Sequence, residues 1–195
     1  MKTLYYDNIQ AVTQTLGEIY NKHVFNRLLD GKKDLIIVDL GGCGVTGEFF
    51  SNYGKVYVYQ PAQKEFECLF QTAKDNPNII PFKCAVSHKQ ALMQFFGETS
   101  LLKHDAPSVS IESITLKTVM LDNKLDKIDL LKVDVCGSEF DLLSHSTFDE
   151  VADKIDMIIG KIYPQTNRNP GQITQSLQER GFKVDLFNTS FIAYK

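Results

Sequence analysis

An apolar strand followed directly by a glycine-rich turn constrains the fold of this 195-residue chain most. Residues 35–38 read Leu-Ile-Ile-Val, the kind of run that a strand buried on both faces of a parallel sheet requires. Four glycines follow within residues 41–47, and residues 48–50 then begin a helix. This order predicts an open α/β sheet whose ligand lies beyond the carboxyl end of its first strand.

The same alternation of apolar runs and turns continues to the end of the chain. We predict further strands at residues 56–59, 79–86, 92–96, 113–116, 128–135, 155–159, 182–186 and 190–194. Helices are predicted before the first strand at residues 8–29, after the second strand with Pro61 in its first turn, after the strand at 128–135, and from Asn169-Pro170 to Gly181. Pro81 predicts an edge position for the third strand.

These elements predict one domain over residues 1–195, with residues 1–33 as a helical extension packed on it. Its fold class is α/β, a Rossmann-like sandwich with helices on both faces of a mostly parallel, seven-stranded sheet. The last two predicted strands, at 182–186 and 190–194, are expected to form an antiparallel hairpin. The oligomeric state stays open.

Charge and composition exclude several classes of partner. The net charge is −3 and the basic residues are scattered, so we expect no nucleic acid as a partner. No apolar run is long enough to span a bilayer and the first residues do not resemble a signal peptide, so we expect no membrane association and a cytoplasmic location. The four cysteines show no zinc spacing, and we expect no metal.

Polar residues and glycines at three strand ends are expected to meet in one site. Asp39 should orient the loop of Gly41, Gly42, Cys43 and Gly44 through its backbone N–H groups, and the glycines allow a ligand to approach closely. NAD, flavin and nucleotide folds share such a loop, and a plain turn is the simplest alternative.

The ends of the predicted strands at 56–59 and 128–135 supply the other candidates. Gln60 stands where cofactor ribose hydroxyls are held, or else it is a surface amide near a helix start. Asp134 and Glu139 are candidate polar anchors or general bases, although an Asp at a strand end is often a cap for the next helix. Cys136 has no histidine placed to activate it.

Several short segments in order resemble the FkbM-type methyltransferases over residues 34 to 183. The matching segments are Val38-Asp39-Leu40-Gly41, Gly47-Glu48-Phe49, Gln60-Pro61, Ala85-Val86-Ser87, Leu121-Asp122, residues 128–134, Gly137-Ser138-Glu139 and Gly181-Phe182. The resemblance implies a class I fold, S-adenosylmethionine as methyl donor with S-adenosylhomocysteine as product, and methylation of a hydroxyl on a small-molecule acceptor. It implies Asp134 and Glu139 as catalytic residues, and as cofactor-binding residues Asp39, Gly41, Gly42, Cys43, Gly44, Gln60, Pro61, Cys84, Ala85 and Asp134.

The chain departs from the family pattern at three positions. Gln60 and Cys136 each stand where the family usually has Glu, and Lys161 stands after the predicted strand at 155–159, where the family often has Glu. These departures support an alternative hypothesis, a methyltransferase-like binding or scaffold protein that has lost catalysis. A nicotinamide-dependent oxidoreductase is a further alternative, which the C-terminal hairpin and the motif after the strand at 128–135 disfavour, because both resemble methyltransferases.

Overall fold

The chain builds one large sheet and one small sheet in the computed structural model, which describes residues 28–96, 108–163, 168–187 and 189–195. The large sheet has seven strands in the order β3-β2-β1-β7-β8-β10-β9, and the small sheet has three in the order β4-β6-β5. The strands are β1 Leu35–Leu40, β2 Gly54–Tyr59, β3 Ile79–Phe82, β4 Ala85–Val86, β5 Ala91–Phe96, β6 Ser108–Ile114, β7 Leu130–Val133, β8 Met157–Lys161, β9 Lys183–Phe187 and β10 Ser190–Tyr194.

Five helices connect these strands among the described residues. They are α1 Gly44–Phe50, α2 Gln63–Lys74, α3 Leu116–Asp122, α4 Glu139–Ser144 and α5 Pro170–Glu179, with short 3-10 turns at Ser146–Glu150 and Ala152–Lys154. α5 begins as predicted, because the Asn169 side chain accepts the Gly171 N–H at 2.9 Å and Pro170 occupies its first turn. Gly181 follows its end with φ +84°.

β1 lies near the middle of the large sheet, and its carboxyl end carries the glycine loop of the predicted site. It pairs in parallel with β2 on one side and with β7 on the other, and its last four residues are buried. Apolar side chains pack against both faces of the sheet, in two separate clusters. The predicted hairpin is confirmed, since β10 is antiparallel to both β8 and β9.

The prediction of one strand over residues 79–86 is wrong. β3 ends at Phe82 at the edge of the large sheet, as Pro81 predicted, and β4 pairs instead with β6 of the small sheet. Two backbone segments that read as one apolar run therefore find different hydrogen-bond partners.

Two local predictions around helix starts are also wrong. The strand predicted at 113–116 ends at Ile114, because the Thr115 hydroxyl accepts the Thr118 N–H at 3.2 Å and starts α3. Pro61 lies outside α2, which begins at Gln63. Of the predicted helix at 8–29, residues 8–27 lie outside the described residues. The predictions of a single domain and of an extension at 1–33 stay predictions.

In the part of the chain that the structure describes, no helix is both long enough and apolar enough to cross a membrane.

Candidate functional site

The glycine loop after β1 packs directly against the end of β7. Gly41 has φ +72°, and a Cβ atom at this position would lie 1.9 Å from the Asp134 carbonyl oxygen. The Gly41 N–H donates to the Tyr59 carbonyl at 2.9 Å, and the Asp134 N–H donates to the Leu40 carbonyl at 3.0 Å. Only glycine satisfies both the left-handed conformation and the close approach, so the ends of β1, β2 and β7 form one continuous wall.

Asp39 organises this loop through side chains. Its fully buried carboxylate accepts the Thr46 hydroxyl at 2.6 Å and the Lys132 ammonium at 2.9 Å. The Thr46 hydroxyl oxygen in turn accepts the Cys43 N–H at 2.9 Å. The expectation that Asp39 orients the loop through its backbone N–H groups is therefore wrong, because Thr46 stands between them. A Cβ at Gly42 would lie 2.2 Å from Asp39 Oδ2, so the carboxylate also requires glycine there.

Lys132 supplies the buried positive charge that Asp39 needs. Burial alone would lower the pKa of Lys132, but the carboxylates of Asp39 and Asp134 raise it well above its usual value. Its ammonium lies 4.0 Å from Asp134 Oδ2, beyond hydrogen-bond distance, so its close partner is Asp39. The two charges compensate each other in a setting where either one alone would be costly.

The Gln60 side chain packs against the other side of the glycine loop and is hydrogen-bonded to it. Its Nε2 donates to the Gly42 carbonyl at 2.9 Å, and its Oε1 accepts the Ala62 N–H at 3.0 Å. The residue is only 8% exposed, so the alternative of a surface amide is wrong. Pro61 follows it as a half-buried link to α2. The amide thus joins the glycine loop to the start of the segment that follows β2.

Cys84 and Ala85 lie where the chain passes from the large sheet to the small sheet. Ala85 pairs with Ser113 in the small sheet. Burial, followed by the nearby Glu112 and Asp122 carboxylates, raises the pKa of the Cys84 thiol to about 11, so it is neutral at physiological pH. The assignment of Cys84 and Ala85 to a cofactor site stays a prediction.

Asp134 pairs with a tyrosine that follows β8. The Tyr163 hydroxyl donates to Asp134 Oδ1 at 2.8 Å, and the Lys161 ammonium lies 5.0 Å from the centre of the Tyr163 ring. Burial, and then the Asp134 carboxylate, raise the pKa of Tyr163 well above its usual value, so the hydroxyl keeps its proton. The N-cap of α4 is Ser138, so the alternative of Asp134 as a helix cap is wrong.

A strained turn joins β7 to α4 and is held by Glu139. Cys136 has φ +51° and Gly137 has φ +111°. The fully buried Glu139 carboxylate accepts the Gly137 N–H at 3.0 Å through Oε1, while Oε2 has no hydrogen-bond partner among the described residues. Burial raises the pKa of Glu139 to about 7 and that of the Cys136 thiol to about 11. Cys136 is thus a neutral thiol, as expected for a residue with no activating base.

The structure brings most of the predicted site residues into mutual contact. The glycine loop, Asp39, Gln60 and Asp134 are joined by the contacts above, whereas Glu139 supports the turn next to them. The site also contains three residues that were not predicted from the sequence, namely Thr46, Lys132 and Tyr163. Only Lys132 carried a signal, as a single charge inside an otherwise apolar strand. Within the described ranges, no group of His, Cys, Asp and Glu side chains could hold a metal ion.

A protein-family comparison identifies the class to which this chain belongs. Residues 48–184 match the model of the methyltransferase FkbM domain, which is more than half of the chain. The chain therefore belongs to the FkbM methyltransferase family, and the prediction of a class I, S-adenosylmethionine-dependent methyltransferase is confirmed at this level. The match begins after the glycine loop. A search of curated protein sequences found no match.

Solved structures similar to this chain share its fold. A precorrin-6y C5,15-methyltransferase from Geobacter metallireducens is 10% identical, with a TM-score of 0.57 over 98% of this chain and 94% of that one. A methyltransferase dependent on S-adenosylmethionine from Aquifex aeolicus is 12% identical, with a TM-score of 0.50 over 97% and 98%. Fibrillarin from Aeropyrum pernix, crystallised with natively bound S-adenosyl-L-methionine, is 14% identical, with a TM-score of 0.51 over 84% and 66%. These identities show the fold alone.

Proposed function

We propose that this chain transfers a methyl group from S-adenosylmethionine to a hydroxyl oxygen of a small-molecule or saccharide-like acceptor. The observation that carries the proposal is the wall formed by the glycine loop and Asp134, whose side chain is 27% exposed. A glycine-rich turn beside a partly exposed carboxylate is compatible with a bound cofactor whose reacting centre lies next to that carboxylate. Family membership supplies the reaction class.

The residues around the loop fit a cofactor of this kind. Gly41 and Gly42 let the loop pack tightly against the Asp134 backbone and the Asp39 carboxylate, and the backbone of Cys43 and Gly44 begins α1 beside it. Gln60 holds the opposite side of the loop. S-adenosylmethionine supplies an activated methyl group on sulfur when it is bound, so the protein mainly has to position the acceptor and exclude water.

Asp134 is the proposed general base. Its Oδ1 accepts the Tyr163 hydroxyl, which leaves Oδ2 to take the proton of an acceptor hydroxyl. That proton leaves the acceptor oxygen as its bond to the methyl carbon forms and the bond from carbon to sulfur breaks. Glu139 supports the same turn through the Gly137 N–H and provides a second carboxyl group near Asp134.

One observation favours a second candidate function, a binding protein without catalysis. Both ends of the Gln60 amide are engaged within the protein, with Gly42 and Ala62. An amide also accepts hydrogen bonds more weakly than the carboxylate that the family usually has there. This candidate would keep cofactor binding and lack methyl transfer.

Transfer of a labelled methyl group tests the proposal. The full chain is incubated with methyl-labelled S-adenosylmethionine and a panel of monosaccharides, oligosaccharides, phenols and hydroxy acids, with Asp134→Asn as the matched variant. We expect label in at least one hydroxyl-bearing compound and a loss of about 100-fold in Asp134→Asn, since general-base catalysis contributes on this scale. Binding of S-adenosylmethionine without transfer to any compound favours the second candidate.

A further inference from the structure

The carboxylate of Asp134 lies in a part of the site that carries an excess of negative charge. We propose that Asp134, held in place by Tyr163, distinguishes the positively charged sulfonium of S-adenosylmethionine from the neutral thioether of S-adenosylhomocysteine. The chain would then bind the methyl donor in preference to the product that must leave. This inference rests on the proposed function, because it places the reacting sulfur beside Asp134.

The excess charge follows from the ion pairs around the glycine loop. Asp39 and Lys132 neutralise each other at 2.9 Å, and Lys132 lies 4.0 Å from the nearer Asp134 oxygen. The three side chains together therefore keep one net negative charge. That charge belongs to Asp134, the only one of the three that is more than a quarter exposed.

The other titratable groups around Asp134 are two neutral groups, one carboxyl group and one ammonium group. The Cys136 thiol and the Tyr163 hydroxyl are neutral, since burial raises the pKa of each. Glu139 adds a partial negative charge near neutral pH. Lys161 adds a positive charge whose ammonium lies over the Tyr163 ring, 5.0 Å from the ring centre, whereas the charge in direct contact with the Tyr163 hydroxyl is that of Asp134 at 2.8 Å.

Tyr163 is the positioning residue of the pair. Its hydroxyl donates to Oδ1 at 2.8 Å and keeps its proton because of burial and the neighbouring carboxylate. This bond fixes the plane of the carboxylate and turns Oδ2 away from Tyr163. Replacing Tyr163 by Phe keeps the ring but frees the carboxylate to rotate, so the preference for the donor should weaken without disappearing.

The two ligands offer a matched comparison because they differ by one methyl group and one positive charge. A carboxylate near the sulfur interacts with that charge in the donor and has no charge to meet in the product. For a partly exposed carboxylate, we expect a preference of about tenfold from this single interaction. Contacts with the shared adenosine and amino-acid portions affect both ligands alike and cancel in the ratio of dissociation constants.

Calorimetric titration of the full chain with both ligands tests the inference. The variants are Asp134→Asn and Tyr163→Phe, and the matched control is Tyr194→Phe, because Tyr194 pairs with Met157 at the opposite end of the sheet. The measured quantity is the dissociation constant of S-adenosylhomocysteine divided by that of S-adenosylmethionine. We expect this ratio to fall about tenfold in Asp134→Asn. It should fall about threefold in Tyr163→Phe and stay unchanged in Tyr194→Phe.

Salt provides a second measurement that does not depend on any variant folding. In the unsubstituted chain, raising NaCl from about 20 mM to about 500 mM should lower the preference for the donor, since screening acts on the extra charge. The inference is overturned, even if both ligands bind, when the ratio in Asp134→Asn equals that of the unsubstituted chain and high salt leaves the ratio of the unsubstituted chain unchanged. If neither ligand binds the unsubstituted chain, the proposed function itself is overturned, and the inference with it.

Discussion

Replacing Gln60 by Glu tests the local chemistry at the glycine loop. The Gln60 Nε2 donates to the Gly42 carbonyl at 2.9 Å, and the residue is almost fully buried. The ionised side chain of the Gln60→Glu variant would place a carboxylate oxygen against that carbonyl oxygen, with no proton between them. Leaving one buried group unsatisfied in this way costs about 2 kcal/mol in free energy of unfolding.

The pH dependence of this destabilisation identifies its cause. A protonated carboxyl group can donate to the Gly42 carbonyl as the amide does, so the folded state should raise the pKa of the introduced group. Stability is then retained at low pH and lost as the pH rises through the folded-state pKa. At pH 8 we expect the melting temperature of the variant to fall by about 4–8 °C, and at pH 5 by less than half of that.

Thermal unfolding at both pH values provides the measurement. Gln71→Glu is the matched control, because Gln71 is exposed on α2, accepts the Lys74 ammonium at 2.9 Å and undergoes the same change of charge. It should alter stability by less than about 0.5 kcal/mol. A Gln60→Glu melting temperature equal to that of the parent at pH 8, or a loss just as large at pH 5, would refute the reasoning.

Four further predictions follow from the site. S-adenosylhomocysteine should raise the melting temperature of the unsubstituted chain in a concentration-dependent way, and a flat response at millimolar ligand would count against the cofactor site. Gly41→Val should abolish binding of S-adenosylhomocysteine in calorimetry, because its side chain meets the Asp134 carbonyl; unchanged affinity would place the site elsewhere. Lys132→Met should lower the free energy of unfolding by about 3–5 kcal/mol in urea titrations by leaving Asp39 buried without its cation, whereas a loss below about 1 kcal/mol would show that the pair is dispensable. Glu139→Gln should reduce the loss of stability between pH 5 and pH 8, since the pKa of Glu139 is raised to about 7 and its contribution is lost as the pH rises through that value; an unchanged pH profile would contradict this.

The sequence predicted the parts of the fold that local chemistry controls. The apolar run of β1 and the glycines after it placed the loop correctly, and Asn169 with Pro170 placed the start of α5. The split between β3 and β4 could not be predicted, because it depends on which distant strand each segment pairs with. Thr115 shows a missed local signal, since a Thr before an apolar segment is an ordinary helix cap.

The site followed the same division. Gly41, Asp39, Gln60 and Asp134 were predicted as neighbours because the carboxyl ends of adjacent parallel strands meet at one edge of a sheet. Their partners were not predicted, because the contact from Lys132 to Asp39 joins residues 93 positions apart and that from Tyr163 to Asp134 joins residues 29 apart. No local periodicity encodes contacts of this range.

Calorimetric titration of the full chain with S-adenosylmethionine, S-adenosylhomocysteine and NAD tests the central claim most directly. The claim is that the loop between β1 and α1 holds the methyl donor of a methyltransferase. We expect both sulfur ligands to bind at one site per chain, and NAD to give no heat. Binding of NAD together with no heat from either sulfur ligand would contradict the account.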